Sequence, residues 1–295
     1  MLNNTLIVNQ LFMKIKQYAM LLKFRLSITV VFSGAFGYLL APKTDVNWIQ
    51  LLAFAVGSFL ITGAANTINQ IIEKDLDKLM KRTEQRPLPT QRLSVNEAVI
   101  YTLLLAIIGT TLLVFFINVL VASLALFSLL LYGFIYTPLK QKTSISVFVG
   151  AFPGAFPPLI GWVAATGNFS LEAFIIFGIQ FIWQFPHFWA IAWVADEDYT
   201  NAGFKMLPSA GGKDWSTAFQ IMIYTLFLIP LGLLPTYFGI TGMISGMVAT
   251  FCGLLFLLQS IFLLKNCDRK EALKMMFASF LYLPTIQIAY LMDKI

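Results

Sequence analysis

Runs of about 20 apolar residues, the length a helix needs to cross a bilayer core, alternate with short polar breaks along almost the whole chain. Nine such runs stand out: 24–41, 48–71, 97–116, 119–136, 145–165, 170–195, 217–238, 240–264 and 273–292. The breaks carry turn and cap residues: APKTDVN, a charged stretch after Asn69, Asn118, TPLKQKT, ATGN, DEDYTNAGFKMLPSAGGKD, Gly239 and KNCDRKEA. This pattern predicts an all-α fold, a polytopic membrane helix bundle of nine transmembrane helices. It reads as one domain over residues 1–295, with 1–23 as a cytoplasmic N-terminal segment.

Composition agrees. The chain is 58% hydrophobic and 12% charged, with a mean hydropathy of +0.78, whereas a soluble domain carries about 25% charged residues. Neither a cleaved signal peptide nor a mitochondrial presequence is expected. The N-terminus lacks a small-residue cleavage site, and MLNNTLIVNQLF has no arginine and little serine. Cys252 and Cys267 have no metal-like pattern around them, so neither a disulfide framework nor a zinc site is expected. The bases set the topology. With the N-terminus cytoplasmic, 18 of the 20 Lys and Arg fall on the inner side, leaving Lys43 and Lys294 outside. That asymmetry predicts a cytoplasmic N-terminus and an outer C-terminus. A bacterial inner membrane is the expected home, with the mitochondrial inner membrane as the alternative. The net charge of +6 is then a topology signal and not a mark of nucleic-acid binding, because the bases are split among loops.

Orienting a membrane protein takes Lys and Arg but no acids, yet acids gather in two inner breaks. The first is NQIIEKDLDKLMKRTEQRPLP, Asn69 to Pro89. Asn69, Glu73 and Asp77 are spaced i, i+4, i+8, which places them within an arc of roughly 80° on one helix face, while Asp75 falls roughly opposite. An amide and two carboxylates in a row are hard oxygen ligands. They suit Mg²⁺, which is commonly held by one or two carboxylates together with substrate phosphates. Lys81, Arg82 and Arg86 follow, and Arg82 and Arg86 share a face if the helix extends that far before Pro87 closes it. Such bases suit phosphate oxygens. The competing reading is a solvated loop whose charges neutralise one another. Asn69, a turn inside the lipid boundary, and the closing RPLP favour a site.

This stretch resembles the first signature of the intramembrane (UbiA-type) prenyltransferases, and its MKRTEQRPLP continuation is similar to the haem-modifying branch of that family. The resemblance extends to YTPLK (Tyr136 to Lys140), GAFPGAFPPLIGWVAATG (Gly150 to Gly167), WQFPHFWAIAWVADEDY (Trp183 to Tyr199) and AGFKMLP (Ala202 to Pro208). Together these cover about the middle half of the chain; the last three spans match only in hydropathy. The superfamily usually carries a second acid pair four residues apart. Here DEDY offers Asp196, Glu197 and Asp198 with no acid four residues beyond any of them. The resemblance implies Asp198, beside Tyr199, as the second-site acid and metal ligand, ahead of Glu197 and Asp196, and leaves one or two metals open.

His187 is the only histidine. It lies 11 residues before Asp198, so on a regular helix both point the same way, with His187 roughly 16 Å deeper. It is either a packing residue or a functional one, in contact with haem iron, with a propionate or with the attacking water. Lys140, after Tyr136 and Thr137, either reaches diphosphate or is a positive-inside lysine. The GAFPGAFPPLIG segment reads as architecture, letting helices approach closely. The aromatic run FIWQFPHFWAIAW either lines a flat porphyrin pocket or faces lipid.

The resemblance implies a central cavity open to the cytoplasmic side and Mg²⁺-dependent transfer of the farnesyl group of farnesyl diphosphate to a vinyl group of haem B, which is substrate and not cofactor. Asn69, Glu73, Asp77 and Asp198 would hold metal, and Lys81, Arg82, Arg86 and Lys140 the diphosphate. Haem O would pass to haem A synthase or other oxidase assembly factors. The rivals are prenylation of an aromatic quinone precursor and, in another class, a membrane haem-binding or transport protein without catalysis. A transporter predicts charges buried mid-span in two repeated halves; here the acids cluster at one membrane face.

Overall fold

A computed structural model describes residues 2–42 and 45–295; Lys43 lies outside the described residues. In chain order the helices are α1 (Leu2–Leu21), α2 (Phe24–Leu40), α3 (Trp48–Ile72), α4 (Lys74–Asp77), α5 (Val95–Phe116) and α6 (Val119–Leu130). A π-helical segment, Leu131–Tyr136, then leads into α7 (Thr137–Leu139). The rest are α8 (Ser146–Thr166), α9 (Leu171–Val194), α10 (Asp196–Asn201), α11 (Trp215–Tyr237), α12 (Met243–Asn266) and α13 (Arg269–Met292).

Among the described residues, eight helices are long and apolar enough to cross a membrane, counting Val119–Leu139 as one. The 17-residue α2 meets that test together with Phe12–Leu21, from which it is bent by 50°. Each of the nine expected spans therefore has its helix. Large apolar side chains such as Phe115, Leu281 and Phe251 face outward, as lipid contact requires.

The polar breaks work as helix caps. Asn47, Ser94, Asn118, Ser170, Asp214 and Asp268 each accept a hydrogen bond from a backbone N–H three residues on, and Ser94 closes a full capping box with Glu97. Each cap satisfies an otherwise unpaired donor, worth about 1 kcal/mol. The same residues that interrupt the hydropathy therefore fix where six of the nine spans begin.

Two crossings shape the interior. At α2–α8, backbone meets backbone: a Cβ on Gly37 would lie 1.9 Å from the Pro158 carbonyl oxygen, and one on Gly161 would lie 1.9 Å from that of Gly34. The small residues and prolines of GAFPGAFPPLIG thus serve architecture, as expected. Deeper in, Ser33, Gln180 and Gln287 tie α2, α9 and α13 together. Ser33 Oγ donates to Gln180 Oε1 at 2.7 Å, and Gln287 Nε2 donates to the same oxygen at 3.0 Å. Between α2, α3, α6 and α8 remains a cavity of about 190 Å³, bordered by Leu26, Phe54, Ile61, Leu129, Tyr132 and Tyr136.

Candidate active site

The α3 helix delivers its polar face to the end of this bundle. Asn69, Glu73 and Asp77 are all buried, at 2%, 3% and 0% exposure. Their backbone keeps helical spacing across the α3–α4 junction, because Glu73 N–H donates to Asn69 O at 3.0 Å and Asp77 N–H to Glu73 O at 2.7 Å. The expected row therefore forms. Asp75 turns outward and pairs with Lys78 at 2.7 Å, which holds its carboxyl below the usual range.

Each member of the row holds a basic partner. Lys23 Nζ donates to Asn69 Oδ1 at 2.8 Å. Lys140 forms an ion pair with Glu73. Arg86 Nη1 donates to both oxygens of Asp77, at 2.9 and 2.8 Å. The amide of Asn69 is fixed from its other end as well: its Nδ2 donates to Thr137 Oγ1 at 3.2 Å, and that hydroxyl donates to Tyr132 O at 2.9 Å. The π-helical segment carries this arrangement, since an extra residue per turn re-aims the side chains around it. It brings Tyr132 and Tyr136 to the cavity wall and Thr137 onto Asn69. Gly150 is required opposite, because a Cβ there would lie 2.6 Å from the Tyr136 ring.

Lys23 is a residue that sequence reasoning passed over as a topology signal. It occupies the elbow between α1 and α2 in the left-handed region, with φ 47° and ψ 57°. That conformation costs a non-glycine residue about 1 kcal/mol or more. Asn66 and Gln70 hold the elbow in place by donating to the carbonyls of Leu22 and Leu21, at 3.2 and 2.8 Å. Burial lowers the pKa of Lys140, opposed by the charge of Glu73.

The second acid cluster differs. Helix α9 ends at Val194, and Ala195 (φ −98°, ψ 17°) separates it from α10. The regular helix assumed from His187 to Asp198 is thus interrupted. Asp198 Oδ1 accepts the Lys81 backbone N–H at 3.2 Å, joining the two polar loops. Asp196 pairs with Lys213 at 3.0 Å, and Glu197 is exposed. Arg82 and Arg86 do not share a helix face, because α4 stops at Asp77 and turns follow. Arg86 points in to Asp77, whereas Arg82 lies over the Tyr199 ring, 5.7 Å from its centroid. Lys81 is exposed.

His187 lies on the α9–α13 seam. Its Nδ1 is 2.8 Å from Ser279 Oγ, its ring stacks on Trp183 with centroids 4.3 Å apart, and Phe280 meets it edge-on at 5.1 Å. Its neighbour Phe188 borders the apolar cavity. The rest of the aromatic run packs through Phe181 and Phe185 against Phe148 and Phe152 of α8.

Among the described residues, no three acidic, histidine or cysteine side chains converge to hold a metal by themselves. An amide and two carboxylates, each already facing a positive group, nevertheless match a hard cation that takes its remaining ligands from water and phosphate.

A buried row of one amide and two carboxylates, each on a basic group, in a nine-span bundle that also holds an apolar cavity, fits the comparisons with known proteins. The UbiA prenyltransferase family matches residues 30–283, and the chain belongs to that family. A relative from Cytophaga hutchinsonii named protoheme IX farnesyltransferase is 53% identical over 94% of this chain and 97% of that protein. One of the same name from Flavobacterium psychrophilum is 48% identical over 91% of each. Among solved structures, a digeranylgeranylglyceryl phosphate synthase superposes with a TM-score of 0.79 at 22% identity, covering 95% of this chain and 98% of that one. A UbiA homologue from Archaeoglobus fulgidus bound to DMAPP and Mg²⁺ gives 0.69 at 15% identity, over 94% and 99%. At these identities the structures speak to the fold alone.

Proposed function

We infer that the protein transfers the farnesyl group of farnesyl diphosphate to a vinyl group of haem B, with addition of water, giving haem O and diphosphate. The observation that carries this reading is the buried row Asn69, Glu73 and Asp77, each side chain already on a basic group, in a bundle that also holds an apolar cavity. The curated relatives named protoheme IX farnesyltransferase support the choice of donor and acceptor over an aromatic quinone precursor.

Asn69, Glu73 and Asp77 would hold Mg²⁺, as the Mg²⁺-bound Archaeoglobus homologue supports for a relative of the same fold. When bound, that ion supplies positive charge against the diphosphate as it leaves. The chain's own groups do the rest. Lys23, Lys140 and Arg86 turn from the row to the diphosphate oxygens and stabilise the charge that develops as the allylic C–O bond breaks. Tyr132, Tyr136, Phe54 and Leu129 enclose the prenyl tail and keep water from the allylic cation. The vinyl group of haem attacks that cation, and water then adds to the new one. Asp198 supports the site by pinning the Lys81 turn, and Arg82 rests on Tyr199 at the rim. We assign His187 to the seam between α9 and α13 instead of to haem iron, since Trp183, Phe280 and Ser279 surround it. The basic loops support a site at the cytoplasmic face of an inner membrane.

The test uses the protein in nanodiscs with haem B, farnesyl diphosphate and Mg²⁺. The expected result is a haem whose mass grows by one farnesyl group and one hydroxyl, the remaining proton of the added water being released, with one diphosphate released per haem and loss of both signals in EDTA. Prenylation of 4-hydroxybenzoate but not of haem would overturn the acceptor. Haem binding without release of diphosphate would overturn catalysis.

A further inference from the structure

The AGFKMLP segment takes no direct part in the row of oxygen ligands, yet it builds a second cavity next to it. This cavity, of about 620 Å³, is bordered by Lys142, Thr143, Ser144, Tyr199, Phe204 and Lys205. That volume lies within the range of small-molecule sites, roughly 300–1,000 Å³. Its one acid, Asp196, is engaged by Lys213 at 3.0 Å. Among the described residues, neither Lys142 nor Lys205 has an ion-pair partner. The cavity is therefore bordered by two exposed lysines without an ion-pair partner, beside hydroxyls and an aromatic wall.

Its position relative to the row is set by one lysine. The Lys140 ammonium lies 5.2 Å from the centroid of Tyr136, which borders the apolar cavity, and 4.9 Å from that of Phe204, which borders the polar one. The Lys205 backbone N–H donates to Lys140 O at 2.7 Å, so the loop is tied to the same point. The Lys140–Glu73 pair thus stands between an apolar cavity on one side and a basic one on the other.

We propose that the polar cavity seats the acid edge of the acceptor, with Lys142 and Lys205 as counter-ions to the two propionates of haem B. The proposal rests on the farnesyl-transfer reading above. A protohaem carries its vinyl groups and its propionates on opposite edges of the macrocycle. Holding the carboxylates at Lys142 and Lys205 with the ring against Tyr199 and Phe204 turns a vinyl edge toward Lys140, where the prenyl carbon is released. The two lysines are positioning residues: they touch the substrate far from the reacting atoms and set which edge enters.

The full-length protein in nanodiscs is titrated by absorbance with protohaem IX and, separately, with its dimethyl ester. The wild type is expected to bind the free acid about tenfold more tightly than the ester, the scale of one or two partly exposed charge-assisted pairs. In Lys142→Ala/Lys205→Ala that preference falls to about twofold or less, with ester affinity unchanged, and Lys142→Arg/Lys205→Arg restores it. A double alanine variant that keeps the full preference overturns the proposal, as does a wild type that binds acid and ester alike. The titration needs neither farnesyl diphosphate nor turnover. A protein that shows the lysine-dependent preference but makes no haem O would sink the reaction and leave the carboxylate seat standing. Haem O formation with an acid-to-ester ratio indifferent to the lysines would do the reverse.

Discussion

The two acid-bearing span ends, α3–α4 and α9–α10, look alike as sequence and differ as chemistry. At the first, Glu73 and Asp77 are desolvated and each is neutralised by a basic group reaching in from elsewhere: Lys140 from the end of the fourth span, and Arg86 from a turn nine residues on. At the second, the acids remain near water and act on the loops themselves, Asp196 through Lys213 and Asp198 through the Lys81 backbone. A buried carboxylate with one partner is a costly arrangement that breaking the pair makes costlier, while a half-exposed pair contributes little. Burial, more than the identity of the acids, separates the group we propose as metal ligands from the group that ties the two polar loops together.

That contrast can be broken by substitution. Asp77→Asn removes a fully buried charge and is expected to lower haem O formation by about a thousandfold, the upper range for loss of one transition-state electrostatic group; near-normal turnover at ordinary Mg²⁺ would erase the distinction. Glu73→Gln keeps a ligand oxygen but strands Lys140, and a loss of about a hundredfold is expected from the same kind of effect. Asp198→Ala should cost about tenfold, read as a raised KM for farnesyl diphosphate and faster proteolysis in residues 78–92, because it frees a turn and removes no buried charge. A loss equal to that of Asp77→Asn would make the second cluster a ligand site. His187→Phe should lower stability by the value of one buried hydrogen bond, about 1 kcal/mol, read as a lower thermal unfolding midpoint, and leave the absorption spectrum of bound haem unchanged. Asp196→Ala should change turnover by less than about twofold, as for other partly exposed pairs.

What could be read from the sequence divides along the same lines. The spans were visible because the residues that interrupt hydropathy, such as Asn118, Ser170 and Asp214, are also the caps that start helices. The face shared by Asn69, Glu73 and Asp77 was visible because helical periodicity survives the α3–α4 junction. The partners of that face were only partly visible. Lys23 meets Asn69 across 46 residues of chain through a left-handed elbow, and no local pattern encodes that encounter. The shared direction expected of His187 and Asp198 assumed an unbroken helix, which Ala195 interrupts. The common face expected of Arg82 and Arg86 assumed a helix that stops at Asp77, after which tertiary contacts send one guanidinium inward and the other to Tyr199.

The α2–α8 crossing, where Gly37 meets Pro158 and Gly34 meets Gly161, has a consequence for chain length selection. Two backbones in contact offer no rotamer to swing aside, so that wall of the apolar cavity behaves as a fixed stop. If this cavity takes the isoprenoid as proposed, adjustment to a longer or shorter chain would come from exchangeable side chains on its border, such as Ala125 and Leu129 of α6. Ala125→Leu would shorten the gauge and Leu129→Ala would lengthen it, while the glycines opposite hold the zero mark.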